Sequence, residues 1–509
     1  MAVLDFIHSA VDIRQVILAL VSLATVKILG DAVYQIYFSP LSKVPGPWYM
    51  AVSPFYFVYK TVRGNSIFAW KKLHSQYGPC VRVAPNSVIL ADPESISKVH
   101  SPSDIFKKSS WYSNSTNFES LATIRDPEKF KYRRKAFGAA FSNSNLTLLE
   151  PPIRKHIEVC FKTIGERMKT QKVVDVKPWI YWVSADIAGE FCFGESFGMV
   201  KTEKDNPLIQ NTINFVTVMG IQAQVPGFRI ISWLLSYIPH PSLEWFCGAE
   251  GGLFEYSLMA LKNLQKQLQN SKDENLRPTL FSNLLNNINN PEAKYRLPIK
   301  DLKDEATVFI VAATDSTSVT AIYVTWSLFR NPDMKQKIIT ELESVGWTPG
   351  DCEDKFTDEM LTELPYLKCF LKEIMRVYAP IQIGIPRLVP DNGRVVGQHF
   401  LPGGTECLTQ IYTLHRDPEL FPDPMAFKPE RWINGTKDMD NAIAAFGGTS
   451  RICPGRHLAM MELRLMVAMM LKYLHNVELA DSATDDSMDF AELFMLHPKA
   501  NKLELQLRS

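Results

Sequence analysis

The chain has almost no charge imbalance: 55 Lys and Arg stand against 54 Asp and Glu, a net formal charge of +1. A nucleic-acid binder needs a basic stripe for phosphate contacts, so no nucleic acid is expected as a partner. No two of the eight cysteines (80, 160, 192, 247, 352, 369, 407 and 453) form a CxxC pair. That removes a zinc ribbon and a dithiol redox site, and eight scattered cysteines in 509 residues make no disulfide framework. Repeats and low-complexity tracts are also missing. Gly248, Gly251 and Gly252 lack the strand–turn–helix setting of a dinucleotide fold, so the chain carries no credible flavin or nicotinamide domain.

What is present begins with an apolar run. Val16 to Val26 is unbroken, and it continues through Lys27 and Asp31 to Phe38. The stretch reaches the ~20 residues that span a bilayer. Lys27 and Asp31 are four apart, so on a helix they share a face and can pair. Residues 1–42 are read as a retained membrane anchor and hinge, with an interfacial helix as the alternative. Lys43-Val44-Pro45-Gly46-Pro47-Trp48 then predicts a stiff, extended connector to a single catalytic domain over 43–509.

Beyond the connector most of the chain reads as helix. Val81–Ala91 predicts two short strands around Pro85-Asn86, and Ile385–Leu408 a second strand-rich region. The longest helix is predicted over about Ile299–Arg330, with Asp301, Asp304 and Glu305 at its positive end. Asn331 is expected to cap the next helix, which Pro332 opens. The fold class is mainly α with a small β-sheet region and an N-terminal membrane helix.

One cysteine keeps unusual company. Phe446-Gly447-Gly448-Thr449-Ser450-Arg451-Ile452-Cys453-Pro454-Gly455-Arg456 is a flexible loop that delivers a thiol to the start of an apolar helix, about His457–Leu474. Free N–H groups and the helix dipole there are expected to lower the thiol pKa. Arg451 supplies positive charge, and Gly455 lets a flat group approach the backbone. The other seven cysteines are read as small core hydrophobes.

Phe446, Arg451, Cys453 and Gly455 resemble the haem-binding loop of the cytochromes P450, although Thr449 stands where that family has Gly. Further motifs follow in the family's order. Glu373-Ile374-Met375-Arg376 and Pro429-Glu430-Arg431 resemble its structural triad, which implies that Glu373, Arg376 and Arg431 meet. Phe130 to Arg134 resembles its Trp-to-Arg helix segment, with Phe130 replacing Trp. Val311-Ala312-Ala313-Thr314-Asp315-Ser316-Thr317 resembles the oxygen-activation segment, with Ser316 in place of Thr.

The resemblance implies a P450-like fold with haem b held by Cys453 as its metal ligand. It also implies Arg134, Arg387 and Arg451 as propionate partners, and Asp315, Ser316 and Thr317 as the proton-handling group. A haem-thiolate monooxygenase is expected, of the fungal membrane-bound type that tailors natural products. Its electrons would come from NADPH through a separate cytochrome P450 reductase, with cytochrome b5 as a further donor, at the endoplasmic reticulum membrane facing the cytosol. The substrate would be a lipophilic molecule such as a terpenoid or polyketide. Phe215–Val225, Ile230–Ile238, Ile381–Ile385 and Phe494–Leu496 are the apolar stretches that could line its pocket. Two other readings stay open: a haem-thiolate isomerase or dehydratase needing no reductase, and a non-enzymatic haem sensor. His415-Arg416-Asp417 mimics a kinase catalytic loop, but no Gly-rich loop or Asp-Phe-Gly accompanies it.

Overall fold

The computed structural model describes residues 13–101, 106–204, 206–225, 227–270, 278–350, 355–448 and 451–508. Thr449, the departure within the cysteine loop, and Cys352 lie outside them.

Helix α1, Ile13–Val33, runs on as a wider π-helical turn over Tyr34–Phe38. Among the described residues nothing covers its apolar surface, and Leu18, Leu23 and Val26 are exposed. Lys27 Nζ and Asp31 Oδ2 pair at 2.5 Å, as their spacing requires. The stiff connector behind it is also held against the body. Pro45 O accepts a 2.7 Å bond from Arg82 N, and a Cβ on Gly46 would stand 2.4 Å from Arg82 O. The buried Arg82 guanidinium donates to Gln35 O (2.8 Å) and Gln35 Oε1 (2.6 Å). The end of the anchor is thereby bolted to the first strand, because a buried guanidinium must place its N–H groups on acceptors.

Strands β1 (Cys80–Ala84) and β2 (Ser87–Leu90) pair antiparallel around Pro85-Asn86. They join β3 (Lys107–Lys108), β4 (Arg387–Leu388) and β5 (Glu406–Thr409) in a sheet of order β1-β2-β5-β4-β3. A hairpin of β6 (Phe490–Leu493) and β7 (Met495–Pro498) lies apart from it.

The helices make the body. Helix α2, Pro127–Gly138, starts where Asp126 accepts from the Glu128 and Lys129 N–H groups, with Pro127 in the first turn where no donor is lost. Then come α3 (Lys177–Phe193), α4 (Pro207–Gln224), α5 (Phe228–Leu235) and α6 (Ile299–Arg330). Helix α6 is apolar enough to cross a membrane, yet 78% of its most apolar window is buried, so it is the core helix. Two local expectations change. Asp301 and Glu305 serve Arg133 of α2, at 2.9 and 2.8 Å, instead of only facing the helix dipole. Asn331 donates its side-chain N–H back to Ser327 O (2.7 Å), so it closes α6 and gives no side-chain cap to the helix that Pro332 opens.

Helix α7 (Pro365–Val377) buries Leu367, Phe370, Leu371, Ile374 and Met375, the apolar stripe of its sequence. Helix α8 (Arg456–Leu474) is buried along most of its length, and α3, α6, α7 and α8 share one core. Cys80, Cys160, Cys192, Cys369 and Cys407 are all buried in cores, as small hydrophobes.

Candidate functional site

The loop that carries Cys453 is held from both ends. Cys453 N–H donates to Phe446 O at 2.9 Å, closing the loop on itself, while Gly447 takes a positive φ of 78° at its turn. Gly448 lies so close to His100 that a Cβ would approach within 2.3 Å of that side chain. Gly455 faces both the Cys453 sulfur and Phe141, each 3.9 Å from where its Cβ would be. Upstream, His415 is fully buried. Its Nε2 accepts from Ala444 N–H (3.0 Å), which leaves Nδ1 to donate to Arg376 O (2.9 Å). Burial pushes this imidazole down to about 3, so it stays a neutral clamp on the loop; the kinase-like triplet is structural.

Glu373 anchors the same region. It takes two bonds from Arg376 (2.9 and 2.7 Å), one from Arg431 (3.1 Å), one from Trp432 Nε1 (3.0 Å) and one from Lys428 N (2.8 Å). The triad implied by the motifs forms, and Trp432 is a member that the motifs did not point to.

Cys453 differs from every other described cysteine in being exposed, yet burial dominates the environment of its thiol. A side chain that is accessible and still deep among protein atoms faces a cleft. Its pKa is raised by burial, with the Gly455 N–H and the Arg134 charge pulling the other way. This corrects the expectation of a lowered value: desolvation outweighs the helix terminus until a positive partner arrives.

Beside this loop, positive charge gathers. Lys108, Arg387 and Arg451 lie close together: Lys108 is pushed down to about 6, first by burial and then by the two arginines, and Arg451 is lowered by burial and by the Arg387 charge. Arg451 lies over the Phe130 ring at 4.5 Å and Lys108 lies over it at 5.1 Å, so the ring that replaces Trp contacts two cations. Arg387 donates to the Tyr112 hydroxyl. Among the described residues no carboxylate is hydrogen-bonded to Lys108, Arg387 or Arg451, and Arg451 Nη1 is buried without a partner. Buried cations normally have partners, so this cluster fits a dianion set beside the cysteine. The two carboxylates of haem, with its iron on sulfur, match both halves. Lys108 was missed in the sequence because a two-residue strand gives no periodic signal. Arg134 is half-buried and acts on Cys453 instead of joining the cluster.

Helix α6 reaches the loop through Phe309, which meets Phe141 at 6.0 Å. One turn on, Ala312 is exposed and Ser316 half-buried, with Ser316 Oγ donating to Ala312 O at 2.6 Å. Asp315 points elsewhere. Fully buried, it accepts from Tyr181 Oη of α3 at 2.7 Å and lies 3.9 Å from His497 Nε2 of β7. Burial and the Asp315 charge both hold the Tyr181 phenol well above its usual range, so it remains a donor. Thr317 is buried. Ser316 is therefore the member of the predicted trio on the accessible face, and Tyr181 and His497 are neighbours of Asp315 that no motif signalled.

Of the four apolar stretches, three contribute to a pocket: Thr217, Gly220 and Gln224 from α4, Ile383–Ile385, and Phe494, joined by Trp111. The fourth does not, since Ile230, Trp233, Leu234 and Tyr237 are exposed on the outer surface.

The family model described as cytochrome P450 matches residues 45–505. The chain is 28% identical to the cytochrome P450 monooxygenase orf2 of Aspergillus niger over 93% of this chain and 95% of that one. It is 28% identical to the cytochrome P450 monooxygenase tazI of Aspergillus terreus (92% and 94% covered) and 29% identical to the tryprostatin B 6-hydroxylase of Neosartorya fischeri (86% and 77%). With an accessible cysteine closing a Gly-rich loop, a carboxylate-free cation cluster beside it and a family match across nine-tenths of its length, this chain belongs to the cytochrome P450 family of haem-dependent oxidoreductases.

Proposed function

We propose that the protein is a membrane-attached monooxygenase that tailors a lipophilic natural product, a terpenoid or a polyketide being the candidate classes. The carrying observation is the pairing of the exposed Cys453, through Arg451 on its own loop, with the Lys108–Arg387–Arg451 cluster, a thiol and a group of cations without carboxylate partners among the described residues. Haem supplies the oxidative chemistry when bound, its thiolate ligand favouring O–O cleavage.

The chain's own residues do the rest. Cys453 holds the metal, and its backbone bond to Phe446 keeps the sulfur from swinging away. Arg387, Arg451 and Lys108 receive the carboxylates, while Arg134 offsets the thiolate charge. Ser316, on the accessible face of α6, hands protons inward; its hydroxyl adds a second bond to Ala312 O, a carbonyl of the helix itself. Asp315, with Tyr181 and His497, is the acid behind it, and Thr317 completes the group.

Residues 1–42 anchor the domain of 43–509, and the exposed apolar side chains of α5 and of Trp48, Phe55 and Tyr59 add interfacial contact. We place the chain in the endoplasmic reticulum membrane facing the cytosol. A separate NADPH-dependent cytochrome P450 reductase supplies electrons, with cytochrome b5 as a second donor. Reconstitution with that reductase tests the reading: substrate gains one oxygen atom from labelled dioxygen only when NADPH is present. Product formed without NADPH would select the isomerase or dehydratase reading instead.

A further inference from the structure

Gln410 follows β5, and its backbone is fully engaged, its N–H on Leu90 O (2.6 Å) and its carbonyl receiving Leu414 N–H (3.0 Å). Its side chain lines a pocket with Phe57, Trp111, Ile383, Phe494 and a second carboxamide, Gln224. Gln410 is 1% exposed, and among the described residues neither Oε1 nor Nε2 has a hydrogen-bond partner. The Trp111 indole Nε1, also buried, has none either. A structural glutamine looks different: buried Gln382 donates to Val377 O at 2.9 Å and accepts from Arg416 at 3.2 Å. An apolar side chain at 410 would avoid the cost of an unmade bond, so the carboxamide is not there for stability.

The walls say more. Phe494 stacks on Trp111, centroids 5.6 Å apart and planes 27° from parallel. It does so at the tip of the β6–β7 hairpin with φ of 88°, a conformation costly for an aromatic residue. Among the described residues no charged side chain lines this pocket. The features select a flat, neutral ligand. A carboxamide presents C=O and N–H side by side, which a lactam or cis-amide matches with its own N–H and C=O on one edge. A saturated hydrocarbon leaves both unpaired.

We propose that this pocket recognises a planar, neutral molecule through a neighbouring donor and acceptor, as in a lactam, read by Gln410, with Trp111 Nε1 donating to a second acceptor. Its role as the substrate pocket rests on the haem-thiolate reading of the site.

Calorimetric titration of the haem-loaded enzyme with quinolin-2-one, N-methylquinolin-2-one and naphthalene tests it. Wild type should prefer quinolin-2-one over the other two by ~10-fold or more, a site built around hydrogen bonds rejecting a partner that lacks them. Gln410→Leu should erase that preference by weakening quinolin-2-one alone, and it should melt no lower than wild type. Equal affinity for the three, no binding of any, or a preference unchanged in Gln410→Leu would overturn the proposal; the N-methyl comparison needs no variant. A normal reduced carbon monoxide spectrum alongside such a failure sinks only the lactam assignment, whereas an abnormal one sinks the haem-thiolate reading itself.

Discussion

Lys108 carries an ammonium that burial, Arg451 and Arg387 push down to about 6. Carboxylates arriving beside it would reverse that repulsion and restore the proton, so haem loading takes up a proton above about pH 6. The affinity of the unloaded protein for haem should therefore fall as pH rises from there, and Lys108→Met should flatten the slope. Haem titrations of both proteins across that range check it. Glu373 gives a stability prediction. Its carboxylate, fully buried, is the shared counter-charge of Arg376 and Arg431. Glu373→Gln leaves two cations short of a partner and should cost about 3–5 kcal/mol in denaturant unfolding. Arg451, Cys453 and this triad were legible because motif spacing carries them. Lys108, Trp432 and Gln410 were not: their roles depend on chain segments brought together by folding, and Lys108 meets the carbonyls of Leu121 and Ala122, which no local pattern announces.

Helices α6 and α8 were visible as elements, since long apolar runs bounded by acidic residues, proline and glycine leave little choice of structure. Which face of α6 does chemistry was not visible. Asp315 and Ser316 are neighbours in sequence but lie about 100° apart on a helix, so one turns to Tyr181 and the other to the accessible side. Tyr181 is 134 residues away from its partner, beyond the reach of any motif. The consequence is testable. Ser316→Ala should lower turnover by ~100-fold, the typical worth of a positioned proton donor, while substrate binding measured by calorimetry stays unchanged. Equal losses in both would make Ser316 a packing residue.

At the scale of the whole molecule, a buried guanidinium is one tie between the N-terminal helix and the body. Arg82 ties Gln35 to β1, so the angle between helix and domain is set by a hydrogen-bonded joint and not by a slack linker. Deleting residues 1–42 should convert a protein released only by detergent into one released by alkaline carbonate, with part of it still membrane-bound through α5. Fractionation with both extractants distinguishes these states, and complete solubility of the truncated chain would deny α5 any role. The proposed function stands on the sulfur of Cys453. Reduced, carbon monoxide-treated enzyme should show the red-shifted Soret band of a thiolate-ligated haem, and Cys453→Ser should lose it. The same band in both proteins, or its absence from wild type, would contradict the assignment.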